Sequence, residues 1–259
     1  MKVQKTPYQV IALLMASIII VTGCQPTPSA TETQNATVVS PEILEGSSIQ
    51  INAEINLDPA LAQDADSLMV SQYLYEGLVR LDAKGEPQPA IAETWVISDD
   101  QLDYIFTLRP DAKFSDGTLI TPDTIADNFN RWFDPESPLR GNGKYEAWQR
   151  IFQGFNNEKD EEKRAKSPVD GIQKVDINTV LIHLNRPVPE ILVYLADPAF
   201  AILNTNALLA EAEYGKKGST IISSGPYMIS AWTEAGLILS PNPNYWGAVP
   251  EKDLNFIWR

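Results

Sequence analysis

Cys24 and His183 are the single cysteine and the single histidine of this 259-residue chain, so they are the first candidates for covalent, acid–base or metal chemistry. A nucleophilic triad or a zinc site needs a second such group at a set spacing. His183 lies on the opposite face of an alternating strand pattern from Ile182 and Leu184, without a Ser, Cys or carboxylate partner at a recognisable spacing. The sequence also lacks Walker, Rossmann and nucleophile-elbow motifs. We therefore expect a surface or hydrogen-bonded histidine, and the sequence predicts no metal ion and no cofactor.

The position of Cys24 indicates chemistry of another kind. Residues 8–21 form an apolar run behind Lys2 and Lys5, too short to span a bilayer comfortably, which is the layout of a secretory signal. Residues 21–24 read VTGC and match the bacterial lipobox, in which a signal peptidase cleaves before the cysteine once its sulfur carries diacylglycerol. We therefore predict a signal peptide at 1–23 and a lipid on Cys24. A buried structural thiol is the alternative.

Composition separates a tether from a folded body. Residues 24–46 are rich in Thr, Ser, Pro and Gln and bury too little apolar surface to order themselves, so they predict a flexible tether. The whole chain is 44% hydrophobic and 21% charged, which is typical of a globular protein. Its formal charge of -14 becomes -16 without Lys2 and Lys5, with 34 acidic and 18 basic residues. Such a charge disfavours nucleic acid and anionic headgroups, so the lipid must supply the membrane attachment.

The folded body shows alternating strand and helix signals, which predict an α/β protein. A hairpin is expected around residues 92–108, and Thr121 is expected to cap a helix that starts at Pro122. The apolar positions of this block are Tyr104, Phe106 and Leu108 in the second strand, and Ile125, Phe129 and Trp132 in the helix. Further strands are predicted at 48–55, 171–184, 228–232, 237–239 and 254–258, and further helices at 66–79 and 189–195. The last strand is expected to lack a partner and to leave an apolar edge.

Several motifs, in this order and spacing, resemble one family, the solute-binding proteins of ABC transporters that include oligopeptide-, dipeptide- and nickel-binding proteins. The matching stretches are LDP at 57–59, YEGL at 75–78, AETW at 92–95, FTLR at 106–109, KFSDGT at 113–118, TPD at 121–123, GPY at 225–227 and NPNYW at 242–246. The resemblance covers residues 48–259 but matches the N-terminal half of the family, whose members are about twice as long.

The resemblance implies an α/β fold of the periplasmic-binding-protein type (type II, with an inserted subdomain), of which this chain is expected to hold the first lobe only. That lobe would comprise residues 47–76 and 204–259, and the inserted subdomain residues 77–203. The second lobe is expected to be absent. Since most residues that bind ligands in the family lie in that half, the chain alone is expected to bind weakly.

The implied function is that of an extracytoplasmic lipoprotein that captures a solute, most simply a peptide, and delivers it to the permease subunits of an ABC importer. It would be exported and held by its lipid at the outer face of the cell membrane or in the periplasm. In the family, the residues after the Leu-Asp-Pro turn face the ligand, which implicates Gln63, Asp64 and Ala65. A ligand-touching tyrosine of the family corresponds to Tyr145, although Tyr145 and Trp148 also fit a core pair.

Three other functions stay open on the sequence. The same motifs permit a binding, signalling or chaperone-like lipoprotein that takes no part in transport. A truncated copy without function is a second alternative. The third is a secreted hydrolase, which the missing catalytic motifs do not support.

Overall fold

The computed structural model describes residue 46, residues 48–211 and residues 213–259. The predicted signal peptide, Cys24 and nearly all of the predicted tether lie outside these residues. The strands are β1 Ser48–Ile51, β2 Val79–Leu81, β3 Pro87–Pro89, β4 Ala92–Ile97, β5 Asp103–Leu108, β6 Val169–Lys174, β7 Thr179–Leu184, β8 Tyr227–Trp232, β9 Gly236–Pro241 and β10 Leu254–Trp258. The helices are α1 Ala65–Leu74, α2 Pro122–Phe133, α3 Glu146–Phe152, α4 Ile191–Leu195 and α5 Thr205–Ala210, with a 3-10 helix at Pro198–Phe200.

One four-stranded sheet has the strand order β1-β10-β9-β8. β1 runs parallel to β10, with Ile49 opposite Phe256, and the other neighbours are antiparallel. β10 is therefore a central strand with partners on both sides, and the expectation that it would lack a partner was wrong. The error arose because β1 and β10 lie about 200 residues apart in the chain, and such a parallel pairing leaves no local signal.

A second four-stranded sheet, of order β4-β5-β7-β6, is antiparallel throughout. Its inner face buries alternate residues because side chains on a strand point to opposite faces. These buried residues are Tyr104, Phe106 and Leu108 on β5, and Val180, Ile182 and Leu184 on β7. The apolar side of α2 packs on the same core, and Thr121 caps this helix ahead of Pro122. The predicted hairpin and helix are confirmed.

The helix predicted over residues 66–79 was wrong at its C-terminal end. α1 stops at Leu74, because Tyr75 adopts an extended conformation with φ -133 and ψ 150. Gly225, which lies just ahead of β8, donates its N–H to the carbonyl oxygen of Leu74 at 2.8 Å, and its backbone occupies the path of another helical turn. Val79 then starts β2, which pairs with β3. The strand predicted over 48–55 is likewise shorter and ends at Ile51.

Buried hydrophobic side chains form two clusters. The larger lies under the second sheet and includes Phe106, Phe129 and Trp148. The smaller lies against the first sheet and α1, and includes Leu74 and Phe256. The boundaries at 77 and 203 for an inserted subdomain remain a prediction. No helix in the described residues is both long and apolar enough to cross a membrane.

Candidate functional site

The Leu-Asp-Pro turn is held by Asp58, which is 1% exposed. Its carbonyl oxygen accepts from the N–H groups of Leu61 at 3.0 Å and Ala62 at 2.9 Å. Its carboxylate Oδ1 accepts from the N–H of Ala60 at 3.2 Å. These bonds satisfy the N–H groups of one buried and two partly buried residues, so they fix the path of the chain up to Gln63.

The predicted ligand-facing residues follow this turn, and all three are exposed. Asp64 is the N-cap of α1, since its side chain accepts from the N–H of Ser67 at 2.8 Å. This bond gives Asp64 a role in starting the helix. Ala65 is the first helical residue. The Gln63 side chain makes no hydrogen bond to another described residue, and the ligand contacts of all three residues remain a prediction.

Arg131 of α2 binds Asp58 in the Leu-Asp-Pro turn. Its Nη1 donates to Oδ1 of Asp58 at 3.2 Å, its Nη2 donates to Oδ2, and its Nε donates to the carbonyl oxygen of Leu139 at 3.1 Å. The side chains of this ion pair are 3% and 2% exposed. Burial is the largest single influence on the pKa of Arg131 and lowers it, but Asp58, Tyr145 and Tyr214 together raise it by more, so the net shift is upward. Arg131 therefore stays charged inside the protein.

Tyr145 lies on the other side of Arg131. Its ring centroid is 5.3 Å from the Arg131 guanidinium carbon and 4.5 Å from that of Arg140, and its hydroxyl donates to the carbonyl oxygen of Arg140 at 2.7 Å. The residue is 2% exposed, and burial raises the pKa of its hydroxyl to about 12. Its backbone is left-handed, with φ 51, where it caps α3. The core interpretation of Tyr145 and Trp148 is confirmed, and contact between Tyr145 and a ligand stays a prediction.

Two adjoining depressions share Leu61, Ala62 and Gln63. The larger, about 490 Å³, is also lined by residues 53–56, Asp64, Lys216, Lys217 and Trp232. The smaller, about 130 Å³, is bounded by residues 60–63 and 143–147. We call the two together the Gln63 groove. The structure thus brings Gln63, Asp64 and Tyr145 to one groove, while Ala65 is not among its lining residues.

Sequence reasoning missed four members of this region: Arg131, Lys216, Lys217 and Trp232. Lys217 bonds Glu234, whereas Lys216 is exposed and has no ion pair in the described part of the chain. The indole Nε1 of Trp232 is buried without a hydrogen-bond acceptor among the described residues. The available signal was GKKG at 215–218, a basic pair in a strongly acidic chain.

His183 is a hydrogen-bonded histidine, as expected. Its Nδ1 lies 2.6 Å from Oδ1 of Asp103, the residue opposite it in the β5–β7 register. The two lie on the outer face of the second sheet and are each about half exposed. Within the described residues, no group of three or more His, Cys, Asp or Glu side chains is placed to hold a metal ion.

Curated relatives match the chain over most of its length. The periplasmic murein peptide-binding protein MppA of Escherichia coli is 31% identical over 202 residues, which are 74% of this chain and 35% of MppA. The glutathione-binding protein GsiB of Salmonella typhi is 31% identical over 206 residues, which are 78% of this chain and 35% of GsiB. The chain therefore spans about a third of the length of these relatives.

Solved structures show the same fold. Listeria monocytogenes OppA bound to peptide has a TM-score of 0.67 at 26% identity, covering 82% of this chain and 42% of that one. The unliganded open form of MppA has a TM-score of 0.64 at 28% identity, with 82% and 41% covered. The predicted fold class is thus confirmed: the chain has the mixed α/β fold of type II periplasmic binding proteins, and it covers about 40% of these neighbours.

A family model named for the middle part of the bacterial extracellular solute-binding proteins of family 5 matches residues 86–255. These residues contain the second sheet, α2 and most of the first sheet, together with the motifs from the hairpin to the Asn-Pro-Asn-Tyr-Trp stretch. Because the match covers well over half of the chain, the protein belongs to the family 5 bacterial extracellular solute-binding proteins.

Proposed function

We propose that the chain provides one wall of a peptide-binding cleft in a receptor that delivers its ligand to the permease of an ABC importer. The observation that carries this proposal is the Gln63 groove, where an exposed amide side chain stands on a rigid turn beside Tyr145. Relatives described as binding murein peptide or glutathione, and a neighbour solved with bound peptide, support a peptide as the ligand class.

The chemistry of the groove suits a short peptide. Gln63 offers both an amide donor and an acceptor to a peptide backbone, and Lys216 offers a cation to a carboxylate. The Asp58–Arg131 pair holds the turn in place, so little conformational entropy is lost at the turn when a ligand binds. The proposed role is capture without chemical conversion, for which these side chains suffice.

We further propose a lobe made of residues 47–76 and 204–259, with a subdomain of residues 77–203 inserted into it. The two separate hydrophobic clusters support this division. Proteins of this architecture enclose a ligand when two lobes close about a hinge. One lobe offers about half of the contacts that offset the entropy of association, so its affinity on its own is expected to be weak.

A thermal-shift titration with a mixture of di- to pentapeptides tests the proposal. We expect the peptides to raise the melting temperature, and Gln63→Ala to weaken binding about fivefold, as for one hydrogen bond worth about 1 kcal/mol. Gln173→Ala, at an exposed position on β6, is the matched control. If the peptide-induced rise in melting temperature is the same in Gln63→Ala as in Gln173→Ala, the ligand binds elsewhere. If no peptide changes the melting temperature, the proposed function is wrong.

The proposed location is the outer side of the cell membrane, through a lipid on Cys24. The VTGC stretch at 21–24 supports this anchor. Mass spectrometry of the protein from a bacterial membrane fraction is expected to find acylated Cys24 at the mature N-terminus, and Cys24→Ser is expected to prevent the modification. A mature chain that begins elsewhere, or that remains in the soluble fraction with Cys24 intact, would contradict the anchor.

A further inference from the structure

A second cavity, of about 290 Å³, shares no lining residue with the Gln63 groove. It is bounded by the C-terminal end of α1, by β2, by residues 196–201 and by residues 245–248. Its volume lies at the lower limit of the about 300–1,000 Å³ that drug-sized ligands occupy. A ligand the size of one amino acid suits this space.

Glu76 is the fixed acidic group of this cavity. Its N–H donates to Oγ of Ser224 at 3.0 Å, and its carbonyl oxygen accepts from the N–H of Ile202 at 2.8 Å. The hydroxyl of Tyr245 donates to its Oε1. These contacts hold the carboxyl group in one position, while Oε2 has no hydrogen bond to any of the described residues. Oε2 is therefore available to a donor that enters the cavity.

Arg80, on β2, provides the opposite charge at the rim. Its side chain is exposed and forms no ion pair with a described residue, Glu76 included. The other charged neighbours are engaged elsewhere: Asp197 pairs with Arg150 at 3.6 Å, and the Arg109 guanidinium lies 4.1 Å from the centre of the Trp246 ring. Burial raises the pKa of Glu76, which the Tyr245 hydrogen bond and the charges of Arg80 and Arg109 oppose.

The remaining wall is largely apolar and aromatic, and two of its polar atoms lack a hydrogen-bond partner in the described part of the chain. Tyr75, Val79 and Trp246 supply apolar surface. Oγ of Ser71, a residue 1% exposed, and Nε1 of Trp246 are buried without a hydrogen bond to any described residue. Leaving such groups unpaired in a buried position is unfavourable, so a ligand with a polar group beside an apolar body would be stabilised here.

We propose that this cavity is a binding site for a free zwitterionic α-amino acid with an apolar side chain. Its ammonium group would donate to Oε2 of Glu76, its carboxylate would pair with Arg80, and its side chain would pack against the aromatic wall. An α-amino acid carries its two charges on adjacent groups and so can bridge a carboxylate and a guanidinium that do not touch each other. The site is separate from the Gln63 groove and can be filled at the same time.

Titration calorimetry on the full chain in mild detergent tests the proposal, with L-leucine and L-phenylalanine as probes. N-acetylleucine lacks the ammonium group, and leucinamide lacks the carboxylate. We expect saturable binding of both amino acids and at least about tenfold weaker binding of each blocked form, because each loses one charge-assisted contact. Equal binding of free and blocked forms, or no saturable binding of either amino acid, would overturn the proposal.

Variants assign each end of the ligand. Arg80→Gln is expected to abolish the preference for leucine over leucinamide. Glu76→Gln is expected to abolish the preference for leucine over N-acetylleucine. Lys84→Gln and Glu86→Gln, at exposed positions in the turn between β2 and β3, are the controls and are expected to keep both preferences. Because Arg80 is exposed, its replacement leaves the fold intact even if Glu76→Gln destabilises it. An Arg80→Gln protein that still prefers leucine over leucinamide to the same degree would overturn the assignment.

Discussion

At the scale of single residues, the Asp58–Arg131 pair connects the two sides of the Gln63 groove. Asp58 shapes the turn that leads to Gln63, and the same Arg131 guanidinium lies near the ring of Tyr145. Taking two charges out of water is costly, so such a pair contributes little net stability against an apolar replacement. Replacing only one of the two residues is strongly destabilising, because the other buried charge is then left without a partner.

Asp58→Asn is therefore expected to lower the free energy of unfolding by about 3–5 kcal/mol, and Arg131→Met by a similar amount. Asparagine keeps an oxygen that can accept from Ala60, so the loss reports on the ion pair. In the double variant, the free energy of unfolding is expected to fall by much less than the sum of the two single losses. Urea unfolding followed by tryptophan fluorescence measures all three.

Arg164→Met serves as the control for this prediction, since its ion pair with Asp160 is exposed to solvent and its loss is expected to change the free energy of unfolding very little. Strict additivity of Asp58→Asn and Arg131→Met would show that the two charges do not depend on each other. The ion pair would then not couple the turn to Tyr145.

The candidate site was predictable from the sequence only in part. The resemblance pointed to Gln63, Asp64 and Ala65, which follow the Leu-Asp-Pro turn, and to Tyr145, and their contacts with a ligand stay a prediction. Arg131 was missed because it bonds Asp58 across 73 residues, and its neighbours on α2 show only an apolar face. Local patterns report which face of a helix is buried, whereas the partner of a buried charge depends on the tertiary fold.

At the scale of elements, α2 begins with several start signals together. The side chain of Thr121 accepts from the N–H of Thr124 at 3.3 Å, the Thr124 hydroxyl accepts from the N–H of Thr121 at 3.3 Å, and Pro122 occupies the first turn. These contacts satisfy N–H groups that the helix leaves open at its start. They place Asn128 and Arg131 on the buried side, where Arg131 meets Asp58.

Thr121→Ala is expected to lower the free energy of unfolding by about 1 kcal/mol, because it removes the N-cap oxygen. Urea unfolding measures the loss, with Thr220→Ala in an exposed loop as the control. If Thr121→Ala and Thr220→Ala lower the free energy of unfolding by the same small amount, the cap does not stabilise the start of α2.

The elements also show what a local pattern leaves undetermined. The hairpin of β4 and β5 and helix α2 were predicted correctly because their turn and cap residues stand next to the alternating or periodic positions. The end of α1 was not predicted correctly, because it stops at a contact with Gly225, which lies about 150 residues further along the chain. Tertiary contacts override helix propensity at such a position.

At the scale of the whole molecule, several buried or partly buried tyrosines determine how stability depends on alkaline pH. Burial raises the pKa of Tyr145 to about 12, and it also raises the pKa values of Tyr75, Tyr214 and Tyr245. In the unfolded chain a tyrosine ionises near pH 10, so above that pH the folded state holds more protons than the unfolded state. The free energy of unfolding must then fall as pH rises.

We expect this fall to begin near pH 10 and to continue towards pH 12. Urea unfolding at a series of pH values measures it. Tyr145→Phe is expected to make the slope shallower, while the lost hydrogen bond to Arg140 lowers stability equally at every pH. An unchanged slope in Tyr145→Phe would mean that Tyr145 ionises as readily in the folded state as in the unfolded one.

In the proposed function, the molecule forms one wall of a peptide cleft, with the Gln63 groove as the contact surface. A peptide that carries a photoreactive benzophenone side chain tests this claim most directly, since cross-linked sites can be identified by mass spectrometry. We predict cross-links within residues 60–65 and 143–147 that an excess of unlabelled peptide suppresses. Suppressible cross-links confined to other parts of the chain, or cross-links that unlabelled peptide does not reduce, would contradict the account.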